Sequence, residues 1–232
     1  MPSKPPILAI IAPCYNEEAV LPISVPAFRT LLARLKSAGK VSADSRLVLV
    51  DDGSTDATWS MIARYAEDHD DVRGLKLTRN RGHQNAVLAG MMECEGDVLV
   101  TIDADLQDDH NAIEEMIDAY TEAGAQIVYG VRSARDADTL FKRVTAEGFY
   151  RLLRVLGVEV VFNHADFRLL SRRAVESFRN FEEVNLFLRG MTPMLGYKTA
   201  VVEYERGERA AGESKYPLVK MLSLAWEGIT SL

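Results

Sequence analysis

Asp103, Asp105, Gln107 and Asp108 follow one another within six residues, directly after the short apolar run 98–102. Carboxylates and an amide oxygen packed so closely repel one another unless a hard cation sits among them. Mg²⁺ or Mn²⁺ favours such oxygen ligands and usually shares them with substrate phosphates. Asp103 and Asp105 stand two apart, so in an extended segment both side chains leave on one face. The competing structural reading is a strand-to-helix turn in which Asp108 or Asp109 only caps the next helix.

Something must hold those acids in place, and the rest of the chain supplies it. Residues 7–12 form a continuous apolar run, as expected of a parallel strand buried on both faces. Residues 46–50, 72–77, 98–102 and 126–131 repeat the pattern, with helical spacing over 21–35, 57–69, 86–94 and 112–123 between them. Asp56 is placed to cap the helix at 57. Strands alternating with helices on this rhythm predict an α/β fold: a single domain with a mostly parallel, doubly wound sheet flanked by helices. Open sheets of this kind hold ligands at the C-terminal tips of their strands, where the acids stand. Further on, strands are expected at 158–162, 167–170 and 201–204. Short helices are expected at 171–178 and 185–195, and a polar loop at 208–216.

The chain has 232 residues, 47% hydrophobic and 26% charged, with a net charge of −7. That suits one sizeable globular domain, and the acidic balance argues against a nucleic-acid partner. Cys14 and Cys94 lack metal-ligand spacing and read as small packed thiols of a reduced compartment. No leader pattern opens the chain and no run of about 18 apolar residues is found. Neither G-x-G-x-x-G after the first strand nor a P-loop is present, which excludes the commonest dinucleotide and ATP chemistries. The four histidines have no zinc spacing.

Two further stretches sit just past strands: Pro13-Cys-Tyr-Asn-Glu-Glu18 and Asp51-Asp-Gly-Ser-Thr-Asp56. A carboxylate at such a tip can accept hydrogen bonds from a base or a ribose. The second stretch also suits a plain turn, given its Gly and Ser.

In order, Asn16-Glu-Glu, Asp51-Asp-Gly-Ser-Thr-Asp, Asn80-Arg-Gly and Asp103-Ala-Asp-Leu-Gln-Asp resemble the family 2 glycosyltransferases of the GT-A fold. Asn163-His-Ala-Asp-Phe-Arg and Gly212-Glu-Ser-Lys-Tyr-Pro are similar to the polyprenyl-phosphate branch, the bactoprenol glucosyltransferases and dolichol-phosphate mannose synthases. The resemblance runs from about residue 7 to 232. It implies a nucleotide-sugar donor lined by Pro13, Tyr15, Glu17, Asp52 and Arg81. Asp52 would meet the base or ribose, Asp103 would lie toward the donor, and Asp105 and Gln107 would hold Mg²⁺ or Mn²⁺. Asp166 is implied as a further acidic member of the catalytic set with Asp103 and Asp105. Arg209 and Lys215 are implied to close over the diphosphate.

Residues 132–154 hold six basic side chains against three acids, inside an acidic chain. The apolar stripe over 141–156 with cationic flanks reads as an amphipathic helix at a membrane surface. Arg132, Arg135 and Lys142 are then candidates for an acceptor phosphate. An apolar stripe also recurs over 217–232, with Trp226 suited to a membrane interface. Relatives of this branch continue there into transmembrane helices, so the chain is expected to stop short of them.

The expectation is thus one domain over 1–232. About 1–131 forms the nucleotide-sugar and metal half, about 132–216 the acceptor half, and 217–232 a juxtamembrane helix. The implied reaction is inverting, metal-dependent transfer of a hexose to undecaprenyl or another polyprenyl phosphate at the cytoplasmic face of the membrane. The chain would be peripheral, or anchored through segments beyond it, and a homo-oligomer is compatible with it. UDP-glucose is the first choice of donor, with GDP-mannose and UDP-N-acetylglucosamine as alternatives. A processive synthase is disfavoured by the lack of Gln-x-x-Arg-Trp. A non-catalytic nucleotide-sugar sensor is disfavoured by the intact acids and Lys215.

Overall fold

Leu8–Cys14 (β1) is buried along nearly its whole length, because its apolar run serves two cores at once. Leu8, Ile10 and Ala12 point into one core, and Ala9 and Ile11 into the other, as the two-residue repeat of a strand requires. The computed structural model describes residues 4–133, 164–181, 188–205 and 207. The expected helix over 141–156, the expected strand 158–162, the loop 208–216 and the stripe 217–232 lie outside them.

The described elements continue as Leu21–Ser37 (α1), Arg46–Asp51 (β2), Thr58–Asp68 (α2), Val72–Lys76 (β3), His83–Glu93 (α3) and Val98–Thr101 (β4). A 3₁₀ turn His110–Ala112 leads into Ile113–Thr121 (α4), followed by Ile127–Arg132 (β5) and His164–Ser171 (β6). Arg172–Ser177 (α5), a 3₁₀ turn Phe178–Asn180, Leu188–Met194 (α6) and Thr199–Tyr204 (β7) complete them. Among the described residues the sheet has seven strands in the order β3-β2-β1-β4-β6-β5-β7. All pairings are parallel except those of β6, which runs against both β4 and β5.

That reversal positions the site. The C-terminal tips of β1, β2 and β4 share one sheet edge, and β6 delivers its N-terminal end to the same edge. Thr101 is paired with Arg168. Followed two residues past the end of β4, the register sets Asp103 opposite Asp166. The hydroxyl of Thr101 donates to the Asp166 carbonyl at 2.6 Å, fixing that meeting point. Gly130 makes room beside it, since a Cβ there would stand 2.7 Å from the Phe167 ring and 2.9 Å from Met116. No helix among the described residues is long and apolar enough to cross a membrane.

Candidate active site

The acids at the β4 tip do not share a face, contrary to the expectation from their spacing. Pairing ends at Thr101 and the chain curls rather than continuing extended. Leu106 takes a left-handed φ of 56°, and Asp105 accepts the Gln107 amide at 3.1 Å on Oδ1. A left-handed residue other than Gly costs about 1–2 kcal/mol, so the surrounding structure must enforce the curl. As a result Asp105 is only 6% exposed, while the Asp103 side chain keeps 44% exposure on the site.

Asp108 does the enforcing. It is 2% exposed and is not the helix cap, a task that falls to Asp109 through the Asn111 amide at 2.9 Å. The Asp108 carboxylate instead accepts from the Tyr204 hydroxyl at 2.6 Å and from Arg132 Nη2 at 3.0 Å and Nε at 3.2 Å. The Arg132 guanidinium, expected to meet an acceptor phosphate, here ties the acidic loop to the tips of β5 and β7. Burial alone would lower Arg132, but the charge of Asp108 and the Tyr204 hydroxyl outweigh it and hold the guanidinium charged. Gly207 adds a last tie, its amide donating to the Gln107 carbonyl at 2.9 Å. The chain that leads toward Arg209 and Lys215 therefore returns to the acidic loop. Arg209, Lys215, Arg135 and Lys142 themselves lie outside the described residues.

On the neighbouring tips, residues 13–18 and 51–58 are stitched together. The amides of Asn16 and Glu17 donate to the hydroxyls of Ser54 and Thr58 at 2.9 and 2.8 Å. Asn16, with a φ of 52°, accepts the Thr55 amide at 2.8 Å, and Glu18 accepts that of Ala57 at 2.9 Å. Asp56, expected as the helix cap, stands one residue before the N-cap Ala57 of α2 and accepts the Thr58 amide at 3.0 Å. Pro13 is part-buried and Tyr15 exposed, so this rim is open to a ligand.

Asp52 is 3% exposed, and both of its oxygens face backbone amides, Arg81 N at 2.7 Å and Gly82 N at 2.9 Å. It therefore shapes the 80–82 turn that opens α3, while the Arg81 side chain stays exposed. Gly53 makes this approach possible, because a Cβ there would lie 2.4 Å from the backbone of Arg79 and Asn80. Asp51, whose Oδ1 accepts the Ser54 amide at 3.1 Å, leaves a buried Oδ2 without a hydrogen-bond partner among the described residues.

Asp166 stands across from Asp103, and four donors converge on its carboxylate. Gln84 Nε2 bonds it at 3.1 Å and Arg168 pairs with it closely. Arg189 and His83 approach to 3.6 and 3.5 Å. Burial would raise its pKa, but His83, Arg168 and Arg189 pull it far below the usual carboxylate range. Such a group is a poor proton acceptor, which fits a positioning role. Asp103 shifts the other way: removal from bulk water, with Asp166, Asp105 and Asp108 nearby, pushes it up to about 6 despite the opposing pull of His83.

That excess of negative charge is what a divalent cation would neutralise. Among the described residues no group of three or more His, Cys, Asp and Glu side chains forms a closed metal site. Asp105 and Gln107 offer hard oxygen donors of the kind that leave positions for substrate phosphates. Cys14 is a free thiol buried beside β1, and burial pushes it up out of the reactive range.

Fold and site together define a GT-A-type α/β domain with an acidic strand tip. The model of glycosyl transferase family 2 matches residues 9–179, and the chain belongs to that family. It is a glycosyltransferase. It is 48% identical, over all of its length and 69% of the relative's, to the uncharacterized glycosyltransferase YkoT of Bacillus subtilis. It is 40% identical, over 97% of its length and 71% of the relative's, to the prophage bactoprenol glucosyl transferase homolog of Escherichia coli. Among solved structures, glucosyl-3-phosphoglycerate synthase of Mycobacterium tuberculosis, in complex with Mn²⁺, UDP and phosphoglyceric acid, aligns with a TM-score of 0.63 at 19% identity. That alignment covers 97% of this chain and 77% of the synthase. A mannosyltransferase of Pyrobaculum calidifontis in complex with GDP-mannose and Mn²⁺ aligns at 0.61 and 20%, over 90% and 59% of the two chains. At those identities the likeness is one of fold.

His83, expected to begin a helix or line the nucleotide loop, does begin α3, whereas Gln84, Arg168, Arg189 and Tyr204 were not foreseen at the site. Arg168 lay within the quoted Asn163-His-Ala-Asp-Phe-Arg segment, two residues after Asp166 and so on its side of a strand. That spacing was the available signal.

Proposed function

We propose that this chain transfers a hexose from a nucleotide sugar to a polyprenyl phosphate, with inversion at the anomeric carbon and with a divalent cation bound. The observation that carries the reading is the meeting of Asp103, past β4, with Asp166 of the antiparallel β6, beside the loop that carries Asp105 and Gln107. Identity of about 40% to bactoprenol glucosyl transferases supports the lipid acceptor and makes UDP-glucose the first donor to test.

Asp105 and Gln107 would hold Mg²⁺ or Mn²⁺, which supplies charge stabilisation for the departing nucleoside diphosphate. Pro13, Tyr15 and Glu17 line the nucleoside end, with Asp51 and Asp52 beneath them. Asp52 also sets the 80–82 turn, whose Arg81 side chain remains exposed to the donor. The acceptor phosphate is anionic near neutral pH and needs no strong base. Its oxygen attacks the anomeric carbon, forming the new C–O bond as the bond to the diphosphate breaks and the diphosphate leaves with the electron pair. Catalysis then rests on alignment and electrostatic stabilisation. Asp103 faces the sugar, Asp166 orients its neighbours, and Arg209 and Lys215 close over the diphosphate. Arg135 and Lys142 are the remaining candidates for the acceptor phosphate, at the cytoplasmic face of a membrane.

Incubation with Mn²⁺, undecaprenyl phosphate and separately labelled UDP-glucose, UDP-N-acetylglucosamine and GDP-mannose tests this. Label is expected in the organic phase with UDP-glucose. Retention of all label in the aqueous phase, with folded protein, overturns the reading.

A further inference from the structure

The Nε2 edge of His83 lies 3.7 Å from Asp103 Oδ1 and 3.5 Å from Asp166 Oδ2, at the first residue of α3. Both separations are long for hydrogen bonds, so what joins the three groups is charge acting across a partly exposed site. The two acids come from different strands and repel each other. Among the described residues, His83 makes the one ion-pair contact to the Asp103 carboxylate. Asp166 has other donors, in Gln84, Arg168 and Arg189, so its position survives without His83. The position of Asp103 does not.

We propose that His83 is a positioning residue of the transfer site, a cationic clasp that holds Asp103 at a set distance from Asp166. It rests on the transferase reading above. The groups facing the imidazole are Asp103 from the β4 tip and Asp166 and Arg168 from β6, with Arg189 of α6 beyond the Asp166 carboxylate. Burial and Arg168 oppose its charge, but the two carboxylates outweigh them and keep the ring protonated at higher pH than an ordinary histidine. The turn that presents His83 is itself built by Asp52 through Gly82, which takes a φ of 90°. A residue of the nucleoside rim thereby fixes the start of the helix that steadies the acids.

Two measurements test the clasp separately from the reaction. In ¹⁵N NMR pH titrations of the whole chain, the His83 ring is assigned by its loss in His83→Gln. It is expected to lose its proton at higher pH than an ordinary histidine and to move back toward the ordinary value in Asp103→Asn. A ring that titrates at or below the ordinary value, or one indifferent to Asp103→Asn, overturns the proposal even if no transfer is ever observed. In the transfer assay, His83→Ala is expected to lower kcat about ten- to hundredfold, the cost of misplacing a group near the reacting atoms, with the donor KM changed less than about threefold. His83→Lys is expected to recover part of that loss and His83→Gln less. A folded His83→Ala with undiminished kcat overturns the proposal, as does full recovery by His83→Gln.

Discussion

The Tyr204 hydroxyl donates to the Asp108 carboxylate at 2.6 Å across 96 residues of sequence, joining the last described strand to the acidic loop. Arg132 completes the contact from the other side. With these partners the buried carboxylate ties the acidic loop to the ends of β5 and β7.

Tyr204→Phe removes one donor from buried Asp108 and is expected to cost about 1–3 kcal/mol, seen as a fall of roughly 3–10 °C in Tm. Asp108→Ala should cost at least as much, because it also leaves Arg132 without its counter-charge. Both are read by thermal unfolding. Variants as stable as the parent would show that the clamp is not structural.

Asp105→Asn and Gln107→Ala are expected to lower transfer about 10²–10³-fold, the usual cost of losing transition-state charge stabilisation. Isothermal titration should show Mn²⁺ affinity lost in parallel, with Tm little changed. Full activity in Asp105→Asn would remove the metal role from this loop.

Asp52→Asn keeps the shape but turns an N–H₂ group toward a backbone amide that needs an acceptor. The unliganded protein is expected to lose about 1–3 kcal/mol. A role confined to the nucleobase would leave unliganded stability untouched and move only donor affinity, so denaturant melts without donor separate the two.

Asp166 has its pKa depressed in the folded state, below its ordinary value of 3.8. Its stabilisation is therefore fully present above about pH 4 and is lost as pH falls below that value toward the folded pKa. The stability gap between the parent and Asp166→Asn should stay constant from pH 8 to about 5 and shrink below about 4. A gap that does not shrink below about pH 4 would mean that the carboxyl is not depressed.

The parallel strands were legible in the sequence because burial on both faces makes them apolar throughout, as in β1 and β2. The residue types of the β4 tip were legible, because Asp103, Asp105 and Gln107 stand together in the sequence directly after an apolar run. Their orientation was not, because the left-handed turn at Leu106 is imposed by Asp108, whose partners lie 24 and 96 residues away. The start of β6 was read as loop, with the strand placed from 167. Asp166 is polar because that end of the strand serves the site rather than the core. For the same reason α3 was placed from 86, although its polar first turn, His83-Gln84-Asn85, begins the helix and faces the acids.

The most direct test of the central claim is transfer of labelled glucose from UDP-glucose to undecaprenyl phosphate in the presence of Mn²⁺, run beside Asp105→Asn. The account expects a butanol-extractable, acid-labile glycolipid from the parent chain and none above background from the variant. Equal yields from both, or no lipid product from any UDP- or GDP-sugar with folded parent protein, would contradict it.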